Sequence, residues 1–188
     1  MIRARIARGV LACAGAVLML VFLAPASSAS DGNRVKMQDD CEPTSFDAAL
    51  GDPRACIGDG ETTFSSFLAE LQATRQAEEW TFDPSQLTVR AGRPVILDSR
   101  AGETHTFTLV KVFAGGFVPI LNSLSGNPTP APECVNPGDP TIPAPPSPKN
   151  VFVDAGRQGA FQTAGLLPGR YLFQCCIHPW MRVILTIR

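Results

Sequence analysis

The C-terminal segment of this 188-residue chain reads Tyr171-Leu-Phe-Gln-Cys-Cys-Ile-His-Pro-Trp-Met-Arg-Val-Ile-Leu-Thr-Ile-Arg188. Two runs of alternating apolar residues, a pattern typical of β-strands, flank a short loop. Cys175, His178 and Met181 recur here at every third position and offer a thiolate, an imidazole and a thioether. The segment therefore predicts a strand–loop–strand unit that carries metal ligands.

The chain has one further histidine, His105, which lies on the apolar face of an alternating run with Phe107 and Leu109. An imidazole on such a face needs a polar partner, and a metal ion supplies one. Thiolate and thioether ligands select copper over harder cations, and a trigonal His2Cys site with a weak axial Met is the blue-copper geometry. We expect a mononuclear copper site with four ligands: His105, Cys175, His178 and Met181.

The two adjacent cysteines must differ in role, because successive side chains of a strand point to opposite faces. Cys175 shares its face with Tyr171 and Phe173, which form the better candidate for the inward side. This assigns the metal thiolate to Cys175 and leaves Cys176 on the other face. The competing interpretations are a satisfied core histidine, ordinary disulfides or a vicinal disulfide, none of which explains all four positions together.

The run Pro168-Gly-Arg-Tyr-Leu-Phe-Gln-Cys175, followed by Cys-x-x-His-x-x-Met, resembles the C-terminal copper loop of the cupredoxins, the blue type 1 copper proteins. It is most similar to the short loop of the amicyanin and plastocyanin kind. The resemblance extends from about Trp80 to Arg188. Three segments look like the opening strands of the family: Trp80-Thr-Phe-Asp-Pro84, Leu87-Thr-Val-Arg-Ala-Gly92 and Pro94-Val-Ile-Leu97. Cys176 and a long Pro-rich insertion depart from the family pattern.

The resemblance implies a mainly β, Greek-key sandwich with one type 1 copper, and a monomeric protein that is not an enzyme. Such a protein carries single electrons between redox partners. On the family pattern, electrons pass through a partly exposed edge of His178, and Pro179 and Trp180 form an apolar rim for transient docking. Copper storage or delivery outside the cytoplasm is the alternative, because the same ligands would serve it.

An enzyme that uses a cysteine nucleophile with His178 as its base is disfavoured. The sequence shows no third residue that would orient the imidazole, and Met181 would have no role. A larger copper oxidase is also disfavoured, because two histidines cannot build additional copper centres.

Residues 1–29 have the layout of a secretory signal peptide. Arginines come first, an apolar run follows from Val10 to Ala24, and the small-residue stretch Ala26-Ser-Ser-Ala29 ends the segment. The apolar run is shorter than the roughly 20 residues that a membrane span needs. We therefore expect cleavage rather than a retained anchor, no stable membrane insertion, and export to the periplasm or the extracellular space.

Charge argues against several partner classes. Removal of 29 residues from 188 leaves 159, and the loss of three arginines leaves 13 basic against 17 acidic residues, a net charge of −4. The remaining basic residues form no cluster. Nucleic acids and anionic lipid surfaces are therefore poor candidates for partners.

Export would make paired cysteines into disulfides. Five cysteines follow residue 29, so an odd thiol needs a use. If Cys175 binds copper, the other four can close in two bridges with three possible connectivities. We favour Cys41–Cys56, which encloses a short local loop, and Cys134–Cys176, which would pin the insertion to the strand beside the metal loop.

The organisation of the chain follows from changes in its periodicity. Residues 30–79 form a predicted N-terminal extension with a polar, disordered lead at Asp31 to Gln38 and a short helical turn from Thr44 to Leu50. An amphipathic helix is predicted from Thr63 to about Ala77, covering one end or edge of the sandwich. Its apolar stripe consists of Phe64, Phe67, Leu68 and Leu71.

From residue 80 the apolar period becomes two, which favours several short strands in a copper-binding domain spanning residues 80–188. The insertion at residues 113–150 holds ten of the seventeen prolines. Prolines remove backbone donors, so we expect extended connections rather than sheet there. The apolar run Phe117-Val-Pro-Ile-Leu121 and Cys134 favour an ordered cover near the metal end over a free linker.

Overall fold

The computed structural model describes residues 32–188, so the predicted signal peptide lies outside the described residues. Three helices form within this range: α1 (Pro43–Leu50), α2 (Phe64–Thr74) and α3 (Pro119–Leu124). None of them is long and apolar enough to cross a membrane. The strands of the same range are β1 (Arg34–Gln38), β2 (Thr81–Asp83), β3 (Gln86–Val89), β4 (Val95–Ser99), β5 (His105–Val110), β6 (Val135–Asn136), β7 (Asp139–Pro143), β8 (Asn150–Val153), β9 (Gln158–Phe161), β10 (Gly169–Gln174) and β11 (Arg182–Ile187).

Two sheets make up the body of the fold, with strand orders β2-β1-β4-β9 and β3-β11-β10-β5-β8. Their pairings are antiparallel except β1 with β4 and β3 with β11. Phe107 and Phe173 stack with ring centroids 4.3 Å apart, and Phe161 of the other sheet meets Phe173 edge-on at 4.7 Å. These buried rings join the two layers, and the predicted mainly β sandwich is confirmed.

The predicted disordered lead is wrong for Arg34–Gln38, which is strand β1. It pairs with β2 on one side and with β4 on the other. Val35 and Met37 are fully buried, because they alternate with polar residues and give the strand an apolar inward face. β1 belongs to the predicted N-terminal extension, residues 30–79, yet it pairs with strands of the predicted copper-binding domain, residues 80–188. One sheet therefore contains strands from both predicted segments.

The two N-terminal helices lie close to their predicted positions. The carboxylate of Glu42 caps α1 by accepting the backbone N–H groups of Thr44 and Ser45. Thr63 caps α2, which ends at Arg75 in the left-handed conformation. Phe67 on the buried face of α2 packs against Trp80 at a centroid distance of 4.5 Å. This contact places α2 over the end of the sandwich that holds the predicted ligands.

The Pro-rich segment is an ordered cover, as predicted, but it contains the β6–β7 hairpin that the prediction excluded. The hairpin tolerates prolines at positions 140 and 143 because a strand at a sheet edge leaves half of its donors unused. Both predicted disulfides form, Cys41–Cys56 and Cys134–Cys176. The second one anchors the cover to the chain next to β10, where the cover buries a small apolar cluster of its own.

Candidate metal centre

Strand pairing brings three of the predicted ligands together from distant parts of the sequence. β10 runs antiparallel to β5, so Cys175, which follows β10, lies beside His105 at the start of β5. The loop after β10 then turns back and presents His178. The Sγ atom of Cys175 lies 3.8 Å from Nδ1 of His105 and 4.0 Å from Nδ1 of His178, and the two Nδ1 atoms are 3.3 Å apart.

This triangle of donor atoms has the size of a metal site. The point equidistant from the three atoms lies about 2.2 Å from each, close to the metal–nitrogen and metal–sulfur bond lengths of zinc sites. His105 and Cys175 are fully buried, and His178 is 2% exposed. The donor set of two imidazoles and one thiolate thus fits one soft metal ion.

The structure favours the thiolate form of Cys175. Its Sγ accepts the backbone N–H groups of Thr106 at 3.4 Å and of His178 at 3.5 Å. Burial alone would raise the pKa of Cys175, but the hydrogen bonds to His105 and His178 outweigh burial and hold this pKa well below the ordinary thiol value. The sequence alone did not reveal these contacts.

Asp39, which sequence reasoning missed, holds the other side of the His105 ring. Its Oδ2 lies 2.9 Å from Nε2 of His105, and its two oxygens also accept the backbone N–H groups of Gly102 and Glu103. Burial alone would lower the pKa of His105, but Asp39 and Cys175 raise it to about 10. In the sequence, the one indication that Asp39 belongs to a site is its position directly after the alternating residues of β1.

His178 is more enclosed than predicted, and the prediction of a partly exposed edge is wrong. Its ring meets Phe67 of α2 edge-on at 6.3 Å, and its Nε2 lies 3.5 Å from Oε2 of Glu103. Pro179 is buried as well, whereas Trp180 remains half-buried. The docking of α2 over this end of the sandwich is the physical reason.

Glu103 is a second carboxylate that the sequence did not single out. Burial raises the pKa of Glu103 above the ordinary carboxyl value, while His178 acts in the opposite direction. The indole Nε1–H of Trp80 donates to Oε2 of Glu103 at 2.7 Å. Each imidazole therefore has a carboxyl group on the side opposite to the donor triangle.

Met181, the predicted fourth ligand, is buried and closes the loop. Its backbone N–H donates to the carbonyl of His178, and its carbonyl accepts from the backbone N–H of Cys175, both at 3.0 Å. These bonds keep residues 175, 178 and 181 on one tight turn. Ligation by the thioether stays a prediction.

Cys176 lies on the opposite face of the chain, as predicted. Its backbone N–H donates to Oγ1 of Thr106 at 2.7 Å, and its sulfur is bonded to Cys134. Cys175 is consequently the only free cysteine among residues 32–188.

Comparison with known proteins yields fold neighbours of low similarity. No family model and no curated protein matches the sequence. A purple cupredoxin from Nitrosopumilus maritimus is 13% identical over 60% of this chain and 86% of its own, with a TM-score of 0.38. A reduced amicyanin variant is 14% identical over 60% and 78%, with a TM-score of 0.36. A copper-containing nitrite reductase from Thermus scotoductus is 17% identical over 57% of this chain and 20% of its own, with a TM-score of 0.34.

Proposed function

We propose that this chain is an exported electron-transfer protein that binds one copper ion in a type 1 site. The observation that carries the proposal is the buried triangle formed by Sγ of Cys175 and the Nδ1 atoms of His105 and His178. Such a donor set selects copper among the metals that transfer electrons, and Met181 would add a weak fourth ligand. The proposal assigns the protein no substrate and no enzymatic step.

The surroundings of the triangle support electron transfer rather than copper delivery. When bound, copper supplies a one-electron couple between its +2 and +1 states. Asp39 fixes the ring of His105, and two backbone N–H groups fix the thiolate of Cys175. Donors held this firmly move little when the charge changes. Delivery to an acceptor protein would require accessible donors, and the three donor residues are at most 2% exposed.

Partner docking is proposed at Trp180, because His178 and Pro179 are covered. The ring of Trp180 meets that of His178 edge-on, with centroids 5.4 Å apart. It lines a groove of about 430 Å³ together with Met181 and Trp80. An electron would pass from His178 through Trp180 to a partner seated there, in a small and weak interface of the kind that redox encounters use.

The copper site is tested by the absorption spectrum of the full chain after addition of copper(II), beside Cys175→Ser. We expect intense blue or green thiolate-to-copper colour that is lost in the variant. A colourless protein that takes up copper(I) would favour storage, and a protein that binds neither ion would refute the proposal.

The docking role is tested with Trp180→Ala by measuring electron self-exchange between oxidised and reduced copies. We expect slower exchange with an unchanged absorption spectrum. Leu167→Ala is the control, because it also removes an apolar side chain from the surface; Leu167 is 75% exposed. It lies just before β10, at the end of that strand remote from Cys175. Equal exchange rates in the two variants would exclude docking at Trp180.

A further inference from the structure

The outer nitrogen of His178 faces a buried carboxyl group instead of water. Nε2 of His178 lies 3.5 Å from Oε2 of Glu103, and the two side chains are 2% and 11% exposed. The same oxygen accepts the Nε1–H of Trp80 at 2.7 Å. Trp80 is itself buried and packs against Phe67 of α2. Trp80, which lies outside the loop that carries His178, therefore holds the carboxyl group of Glu103 in position.

The backbone of Glu103 is fixed as well as its side chain. Its N–H donates to Asp39 at 3.0 Å, and Asp39 in turn holds Nε2 of His105. Glu103 also lies two residues before His105 in the chain. A single segment thus supplies one predicted ligand to the donor triangle and a buried carboxyl group to the second imidazole.

Carboxyl groups behind metal-binding imidazoles have a defined effect. They accept the second N–H, fix the tautomer and the ring orientation, and make the ring a stronger donor, and their loss typically costs 10- to 100-fold in metal affinity. Negative charge close to a metal also favours the more highly charged ion, because the attraction grows with the charge. Both effects apply where a buried carboxyl group faces the ring nitrogen remote from the metal.

We propose that Glu103, held by Trp80, is a positioning residue for His178 and lowers the reduction potential of the metal centre. It keeps the proton of His178 on Nε2, so that Nδ1 points into the donor triangle, and it favours copper(II) over copper(I). This inference rests on the proposed copper site. The buried side of His178 would thus tune the metal centre as well as exclude water from it.

Glu103→Gln tests this proposal, because the amide oxygen still accepts from Trp80 while the side chain can no longer carry a negative charge. We expect zinc affinity, measured by chelator competition, to fall at least tenfold. We expect the reduction potential of the copper protein to rise by about 59 mV, which is a tenfold loss of preference for copper(II) in a one-electron couple. Glu79→Gln is the matched control, because Glu79 is an exposed carboxylate next to Trp80.

Glu103→Asp provides a second test that does not depend on the folding of Glu103→Gln. It retains a carboxyl group but withdraws it from Nε2, so zinc affinity should fall while the reduction potential shifts less than in Glu103→Gln. A zinc affinity within twofold of that of Glu79→Gln, together with the same reduction potential, would overturn the role of Glu103. A wild-type protein that binds zinc but gives no thiolate-to-copper colour would instead refute the copper function and leave the zinc test of Glu103 valid.

Discussion

Protons and metal compete for the same nitrogen of His105. Nδ1 of His105 faces Sγ of Cys175, and Nε2 of His105 faces Asp39. Burial opposes a charged ring, but these two partners raise the pKa of His105 to about 10. Below that pH both ring nitrogens carry protons. Metal binding needs a bare Nδ1, so each metal ion must displace one proton.

The size of this competition follows from the pKa. At pH 7 the medium lies about three units below the pKa of His105, and each unit corresponds to 1.36 kcal/mol. We therefore expect the apparent metal affinity at pH 7 to be about 1,000-fold, or about 4 kcal/mol, below its limit at high pH. Affinity should rise about tenfold per pH unit and level off near pH 10. Cys175 adds no second proton, because its pKa is already lowered.

Two measurements check this prediction. Copper(I) affinity should be determined between pH 6 and pH 9 by competition with a chelator of known protonation behaviour. Calorimetry in buffers of different ionisation enthalpy should show release of about one proton per metal ion. Asp39→Asn is the comparison, because it removes a group that raises the pKa of His105 and should flatten the pH dependence at its upper end. A constant affinity from pH 7 to pH 9 in the wild-type protein would refute the reasoning.

Three predictions concern the elements that enclose the site. Phe67→Ala should lower the free energy of unfolding by roughly 3–5 kcal/mol, because the ring is buried; urea denaturation that shows less than about 1 kcal/mol would contradict this. Replacing Cys134 and Cys176 together by serine should lower the free energy of unfolding in urea by about 4 kcal/mol for a loop of 42 residues, and reducing agent should destabilise the parent protein more than the variant, which keeps only Cys41–Cys56. Gly116→Ala should destabilise by roughly 1–3 kcal/mol in thermal unfolding, because a Cβ there would clash with the carbonyl oxygen of Cys176; an unchanged Tm would show that this approach is not tight.

The proximity of His105, Cys175 and His178 could be predicted because metal donors are rare in this sequence. Two histidines and one Cys-x-x-His-x-x-Met spacing left few combinations, and strand alternation separated Cys175 from Cys176. The structure unites His105, Cys175 and His178, as predicted. Many of the strands followed from the same alternation. β1 did not, because its two apolar residues were outnumbered by polar ones, and the β6–β7 hairpin did not, because its prolines argued against a sheet.

The carboxyl groups and the burial of His178 could not be predicted, because both depend on tertiary placement. Asp39 and His105 are 66 residues apart and meet only because β1 pairs with β4. The apolar stripe of α2 indicates which face of the helix is buried but not what it covers. The resemblance therefore led us to expect a partly exposed edge of His178, whereas the packing of Phe67 over its ring buries it.

The assembly of the donor triangle has a consequence for folding kinetics. His105 and Cys175 are 70 residues apart, and they meet only when the β10–β11 hairpin has joined β5. Contacts of such long range form after much of the loop-closure entropy has been lost. We therefore expect the centre to form late in folding, so that the rate of metal uptake during refolding reports completion of the whole sandwich rather than formation of a local loop.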